Sequence, residues 1–246
     1  MAVAAARELR DGEVVFVGIG LPNLACLLAR ATHAPNLVLI YESGAVGARP
    51  ARLPLSIGDP ALVTGSLMVC GMADVFQCFL QSGRIEAGFL GAAQIDRWGN
   101  INTTVVGDYA RPRVRLPGSG GAPEIAIHAR RTLVITRLDR RAFPERVDFI
   151  TSPGHRDRAG VTRQSSGMPG AGPVRVITDQ GILAPNAESG QLELAAVFPG
   201  AEIETIRRSV QWPLSLRSPL ERVGAPTEVE LRTLREVVDP GRVFLK

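Results

Sequence analysis

Residues 14 to 42 constrain the fold more than any other stretch. Val14-Val15-Phe16-Val17 is a short β-branched run. It is followed by Gly18-Ile19-Gly20-Leu21-Pro22, an apolar helical segment from Asn23 to Thr32 stopped before Pro35, and a second apolar run, Leu37-Val38-Leu39-Ile40-Tyr41. Strand, glycine turn, helix and strand in that order form a unit whose two strands run parallel. The expectation is an α/β fold: an open, largely parallel sheet with flanking helices and glycine-rich loops. A single acid, Glu42, closes the second run against Ser43-Gly44. Ligands of open α/β sheets collect beyond the carboxyl ends of the strands, which is where Glu42 is expected to stand. A carboxylate placed there has lost part of its water, so its neighbours tune its reactivity.

Further strands are expected at 84–90, 132–136, 147–151, 174–178 and 192–198, and a helix at Met68–Leu80 after the Gly65-Ser66 break. The N-terminal segment reads as a helix closed by Asp11-Gly12. Near the other end, Thr227-Glu228-Val229-Glu230 has capping-box spacing, and Leu231, Leu234 and Val238 recur at helical intervals before Asp239-Pro240-Gly241. Residues 156–173, rich in Gly, Ser, Arg and Pro, read as a long surface loop. Strand patterns resume after it with no shift in composition, so residues 1–246 are taken as a single domain.

Composition excludes several classes. Hydrophobic residues at 45% and charged residues at 21% are those of a folded globular chain rather than a disordered one. The net charge of +4 is carried by dispersed arginines, without the aromatic interleaving of a single-strand platform or a groove-reading motif, so no nucleic-acid partner is expected. It suits an anionic small molecule. Three cysteines, Cys26, Cys70 and Cys78, and three scattered histidines offer no metal-ligand spacing and no disulfide framework, which fits a reducing cytoplasm. No apolar run is long enough to span a bilayer, and no signal-peptide layout opens the chain.

Two features could carry chemistry. Gly18-x-Gly20-x-Pro22 opens a helix after a strand, where backbone N–H groups can meet a phosphate, a carboxylate or a developing oxyanion. Asn23 occupies the place of the third glycine of a dinucleotide fingerprint, yet Glu42 lies 22 residues beyond Gly20, close to where that fingerprint puts a ribose-binding acid. Glu42 itself has three readings: a cap for the following turn, a ribose ligand, or a carboxylate nucleophile or base. A carboxylate nucleophile is ionised at neutral pH and needs no partner histidine, but it needs backbone donors for the oxyanion formed on attack at a carbonyl. Three glycine-rich loops could supply them: Gly18–Gly20, Gly91-Ala92-Ala93, and Gly118-Ser119-Gly120-Gly121-Ala122.

The ordered set Gly18-x-Gly20-x-Pro22, Tyr41-Glu42-Ser43-Gly44, Gly91–Asn102, Gly107-Asp108-Tyr109 and Gly118–Ala122 resembles the β subunit of class I coenzyme A transferases, nearest the glutaconate CoA-transferase type. Asp148–Gly154, Val176–Leu183 and Asp239–Phe244 carry the likeness through nearly the whole chain. It departs from the glutaconate-type pattern at Ala92, where that pattern has glycine. The resemblance implies the class I CoA-transferase fold and a two-subunit enzyme. Glu42 maps onto the family's catalytic glutamate. Gly18, Gly20 and Pro22 map onto its oxyanion-hole loop, with Gly91, Gly118, Gly120 and Gly121 on loops lining the same site. It also implies an α subunit in a hetero-oligomer, a coenzyme A thioester and a free, dicarboxylic acid (glutaconate- or 3-oxoadipate-like) as substrates, and no permanently bound cofactor or metal. A thioester hydrolase or ring-opening enzyme of the same fold, and a non-catalytic nucleotide- or CoA-binding module, are the competing expectations.

Overall fold

The computed structural model describes residues 1–245. They gather into two compact units, Met1–Phe89 with the chain from Pro226 onward, and Leu90–Ala225. The first unit contains α1 (Ala2–Ala6), β1 (Val14–Phe16), α2 (Leu21–Ala31), β2 (Val38–Ile40), β3 (Ala45–Val46), β4 (Met68–Val69), α3 (Met72–Asp74) and β5 (Ala87–Leu90). Its strands lie in the order β5-β1-β2-β3-β4. β1 runs parallel to both β2 and β5, as the crossover pattern requires, and β3 and β4 extend the sheet by antiparallel pairing. α2 buries Leu24, Ala25, Cys26, Leu28 and Ala29. Each fully buried leucine contributes about 1.5–3 kcal/mol.

Two local expectations are corrected here. α1 stops at Ala6, well before Asp11-Gly12. The N–H groups of Glu8 and Leu9 turn back to the carbonyls of Ala5 and Ala6, which tightens the chain and sends Leu9 into the core. Residues 68–80 are not one helix. Met68 and Val69 pair with Val46 and Ala45, and the helix begins only after Gly71, whose N–H donates to Asp74 Oδ2 at 3.0 Å, then continues as a π turn over Val75–Leu80. Unpaired backbone on β3 claims the first residues for the sheet, overriding their helical spacing. The capping box does form: Thr227 Oγ1 accepts the Glu230 N–H at 3.2 Å and Glu230 Oε2 accepts the Thr227 N–H at 2.7 Å, starting the helix Glu228–Arg232 and its π-turn extension Thr233–Val238.

The second unit holds two hairpins, β6 (Gln94–Ile95) with β7 (Ile101–Asn102) and β8 (Val105–Gly107) with β9 (Pro112–Arg115). They are followed by α4 (Ala122–His128), β10 (Arg131–Ile135), β11 (Pro173–Ile177), β12 (Gly181–Pro185), β13 (Leu192–Val197), α5 (Ile203–Arg208) and β14 (Leu216–Arg222). The order is β14-β13-β12-β11-β10, with parallel ladders at β10/β11 and β13/β14. Residues 147–151 form no strand. The Thr151 N–H goes to the Ile101 carbonyl at 2.8 Å and the Asp148 N–H to Gln94 Oε1 at 3.3 Å, leaving one isolated bridge between Ile101 and Ser152. The 156–173 loop is irregular as expected but pinned from within by buried Arg163, whose guanidinium donates to the carbonyls of Ala126, Ile127, Pro153, Gly154 and Gly170. Burial lowers its pKa to about 10. No helix among the described residues is long and apolar enough to cross a membrane.

Candidate active site

In the first unit β1 and β2 run side by side with Phe16 level with Ile40, and the Val17 N–H donates to the Ile40 carbonyl at 3.0 Å. Gly18 is two residues past Phe16 and Glu42 two past Ile40. Both therefore leave the sheet at the carboxyl ends of neighbouring parallel strands, at matching register. Gly20 is the N-cap of α2 with φ +94°, a conformation open to glycine at little cost, and Pro22 lies in the first turn where its missing N–H is not needed. A Cβ at Gly18 or Gly20 would meet nothing within 4 Å. Among the described residues no acceptor takes the N–H of Gly18, Ile19, Gly20 or Leu21. The loop thus presents open main-chain donors at the positive end of an eleven-residue helix.

Glu42 occupies a tight turn. The Tyr41 carbonyl accepts the Gly44 N–H and the Tyr41 N–H donates to the Ala45 carbonyl, both at 3.0 Å, so Glu42 and Ser43 form the tip. Gly44 has φ +108°, and a Cβ there would stand 1.9 Å from the Cys70 carbonyl oxygen. The turn is pressed against β4's end, with the Cys70 N–H returning to the Gly44 carbonyl at 3.0 Å. Glu42 is half-buried, and no donor among the described residues reaches its carboxylate. It does not cap its own turn. Beneath it the Tyr41 hydroxyl, fully buried, donates to Asn23 Oδ1 at 2.7 Å; burial pushes that phenol up.

The other expected residues belong to the second unit. Gly91 directly follows β5 and is exposed, with nothing near a Cβ; the neighbouring Ala92 carbonyl accepts Thr136 Oγ1–H at 3.1 Å. Gly118, Gly120 and Gly121 lead into α4, with Gly121 its N-cap. Gly118 is clamped by Thr103 from both sides: its N–H donates to the Thr103 carbonyl and its carbonyl accepts Thr103 Oγ1–H, each at 2.8 Å. Thr103 is fixed in turn by Thr151 Oγ1, which accepts its N–H at 2.9 Å.

Beyond Gly91, the family resemblance gives no roles to residues within Gly91–Asn102, and the structure shows what the polar ones do. Asp96 Oδ1 accepts the N–H groups of Trp98 and Asn100, closing the β6–β7 turn; burial raises its pKa against the pull of those bonds. Asn102 Nδ2 donates to Gln94 Oε1 at 2.7 Å, Gln94 Nε2 to Asp148 Oδ2 at 3.2 Å, and the Gly107 N–H to the same oxygen at 2.9 Å. Asn100 Oδ1 accepts the Gly154 N–H. Sequence motifs that are far apart in the chain are therefore joined by buried polar bonds. The Asp-x-x-Gly-Asn turn signature was readable in advance; the partners were not.

A cavity of about 600 Å³ is lined by Leu27, Arg30, Arg49, Leu53 and Val238 among others, none of them an expected site residue. Arg30 donates to the Ala48 carbonyl and Arg52 pairs with Asp59 there. No cluster of three or more metal-ligating side chains occurs among the described residues.

The Coenzyme A transferase family profile matches residues 1–209. The chain is 50% identical to the B subunit of 3-oxoadipate CoA-transferase from Pseudomonas knackmussii, over 96% of this chain and 90% of that one. It is 34% identical to the B subunit of glutaconate CoA-transferase from Acidaminococcus fermentans, over 100% and 93%. The crystal structure of the glutaconate enzyme from that organism superposes with a TM-score of 0.91 at 32% identity, covering 100% of this chain and 95% of its own.

Proposed function

The chain belongs to the coenzyme A transferase family, and from that premise we propose that it is the β subunit of a two-subunit CoA-transferase that uses Glu42 as its nucleophile. The observation that carries this reading is the free, half-buried carboxylate of Glu42 held on a rigid turn in register with a loop of open N–H groups. A turn cap would be bonded to its own backbone, and Glu42 is not.

In this mechanism a Glu42 oxygen attacks the thioester carbon of an acyl-CoA. The C–S bond breaks, CoA leaves as thiolate, and an acyl–glutamyl anhydride remains. The thiolate then attacks the glutamyl carbonyl, releasing the first acid as carboxylate and leaving Glu42 as a glutamyl-CoA thioester. A second acid reverses both steps and departs as the new acyl-CoA. Each attack puts negative charge on a carbonyl oxygen, and in this reading the open N–H groups at Gly18–Leu21 receive it; removing one such donor typically costs about 10²–10³ in rate. Pro22 stiffens that loop. The family resemblance gives Gly91, Gly118, Gly120 and Gly121 of the second unit a part in coenzyme binding, Gly118 not as a donor, because its N–H is taken by the Thr103 carbonyl. Exclusion of water conserves the thioester.

The partner is an α subunit, in keeping with the names of both relatives, each of which is one of the lettered parts of its enzyme. Their named substrates, 3-oxoadipate and glutaconate, make a dicarboxylic acid the acceptor class. Coenzyme A is a substrate, with no resident cofactor, and residues 1–246 act as one functional β chain. The test is Glu42→Ala co-expressed with the α partner. Loss of CoA exchange between an acyl-CoA and a free acid, with the assembly intact on gel filtration, is expected. Exchange at the wild-type rate sinks the reading, and CoA release without any acceptor acid points instead to a hydrolase.

A further inference from the structure

We propose that Tyr41 and Asn23 are a positioning pair that holds the Glu42 turn in register with the Gly18–Pro22 loop. This rests on the reading of Glu42 as nucleophile and deepens it. Neither residue has been assigned a part in the reaction: Asn23 interrupts a glycine fingerprint and opens an apolar helical segment, and Tyr41 ends an apolar run and opens the Tyr41-Glu42-Ser43-Gly44 motif.

Both side chains are fully buried, at 0% exposure, and joined by one bond of 2.7 Å. Asn23 is the third residue of α2, directly behind Pro22. Tyr41 directly precedes Glu42. The bond therefore ties the segment that carries the carboxylate to the segment that carries the open donors, and does so across the two strand ends where the β1–β2 ladder has already stopped at Val17 and Ile40. On its own side Tyr41 is anchored twice more through its backbone, to Gly44 and Ala45. The result is a fixed platform under an unbonded carboxylate, as a nucleophile requires: its backbone is located and its charge is not neutralised by local donors.

The chemistry of the pair supports a dedicated role. A buried phenol and a buried amide cost more to desolvate than a Phe–Leu contact of similar volume, unless they satisfy one another. Here the satisfaction is incomplete, because Asn23 Nδ2 has no partner while fully buried. Packing alone is better served by apolar residues at both positions. Position matters because displacement of reacting groups by about 1 Å costs on the order of 10²-fold in rate.

The experiment uses the complete enzyme with its α partner and compares wild type, Tyr41→Phe, Asn23→Leu, the double variant and Glu42→Ala. Each single variant leaves one buried polar group orphaned and lowers stability; the double variant removes both groups and recovers it. If the pair positions Glu42, kcat for CoA exchange falls about tenfold or more in both single variants and stays low in the double variant, with KM for acyl-CoA within about twofold, because the register bond is absent in all three. A kcat that returns to the wild-type value together with stability in the double variant makes the bond merely structural and overturns the proposal, as does an unchanged kcat in Tyr41→Phe. An active Glu42→Ala enzyme refutes the nucleophile itself, whereas an inactive one beside a fully active Tyr41→Phe refutes only the pair.

Discussion

Gly44→Ala is the sharpest test of how the Glu42 turn is built. The backbone at Gly44 has φ +108°, and a methyl group there would lie 1.9 Å from the Cys70 carbonyl oxygen and 3.0 Å from its carbon. Both obstacles are main-chain atoms, so no rotamer change relieves them. The conformation alone costs an L-residue roughly 1–2 kcal/mol, and forcing a methyl into packed backbone adds about 1–3 kcal/mol. The expected loss of about 3 kcal/mol converts to a fall in Tm of roughly 6–12 °C for a chain of this size. To relieve the clash the turn must swing away from β4, taking Glu42 out of register with Gly18, so exchange activity falls with stability. Gly18→Ala is the matched control. Its φ is outside the left-handed region and its methyl meets nothing within 4 Å. Its Tm should therefore hold while exchange falls about tenfold, less than the roughly 10²–10³-fold lost when an oxyanion donor is removed outright, as the methyl enters the space a thioester must occupy. Thermal melts of the assembled enzyme and a coupled exchange assay separate the two. A wild-type Tm for Gly44→Ala refutes the packing argument; wild-type exchange in Gly18→Ala refutes the open-donor argument.

Two pH predictions follow from ion placement. Burial holds the His155 imidazole below its ordinary pKa of 6.5, with the nearby Arg163 cation in the same sense and the Pro173 carbonyl opposing. The unfolded chain therefore takes up the proton first. The stabilisation is complete above about pH 6.5 and drains away as pH falls below it, and His155→Gln should flatten that slope in denaturant titrations followed from about pH 7 to 5. Glu230, paired with Arg7 at 2.6 Å and bonded to Thr227, has its pKa lowered to about 2. Its contribution is present above the unfolded carboxylate pKa of about 4.3 and lost as pH falls toward about 2. Glu230→Gln should remove this acid limb, and should cost no more than about 1 kcal/mol at neutral pH because the pair is partly exposed. An acid limb that is unchanged in Glu230→Gln contradicts the assignment.

Much of the first unit is legible in the sequence. Runs such as Val14–Val17 and Leu37–Tyr41 are too short and too β-branched for helices, and the glycines between them force a turn. Where prediction failed, the partner was distant. Met68–Val69 carry helical spacing, yet they form an edge strand because β3 offers them unpaired backbone. Residues 147–151 look like a strand, yet the Asp148 and Thr151 side chains are engaged by Gln94, Gly107 and Thr103. Arg163, one of many arginines in the sequence, is the buried pin of its loop because five carbonyls converge on it.

The same division holds for the site. Local rules of hydrophobic period, glycine placement and strand ending determined from sequence alone that the chain is α/β, that a glycine loop precedes α2, and that an acid follows β2. These depend on residues within a few positions of one another. That Gly18 and Glu42 stand on adjacent strands at matching register, that the Glu42 carboxylate is left unbonded, and that Tyr41 reaches Asn23 were decided only by tertiary structure. Register and side-chain partnering are set by the packing of the whole sheet, since a slip of one residue sends every side chain to the opposite face.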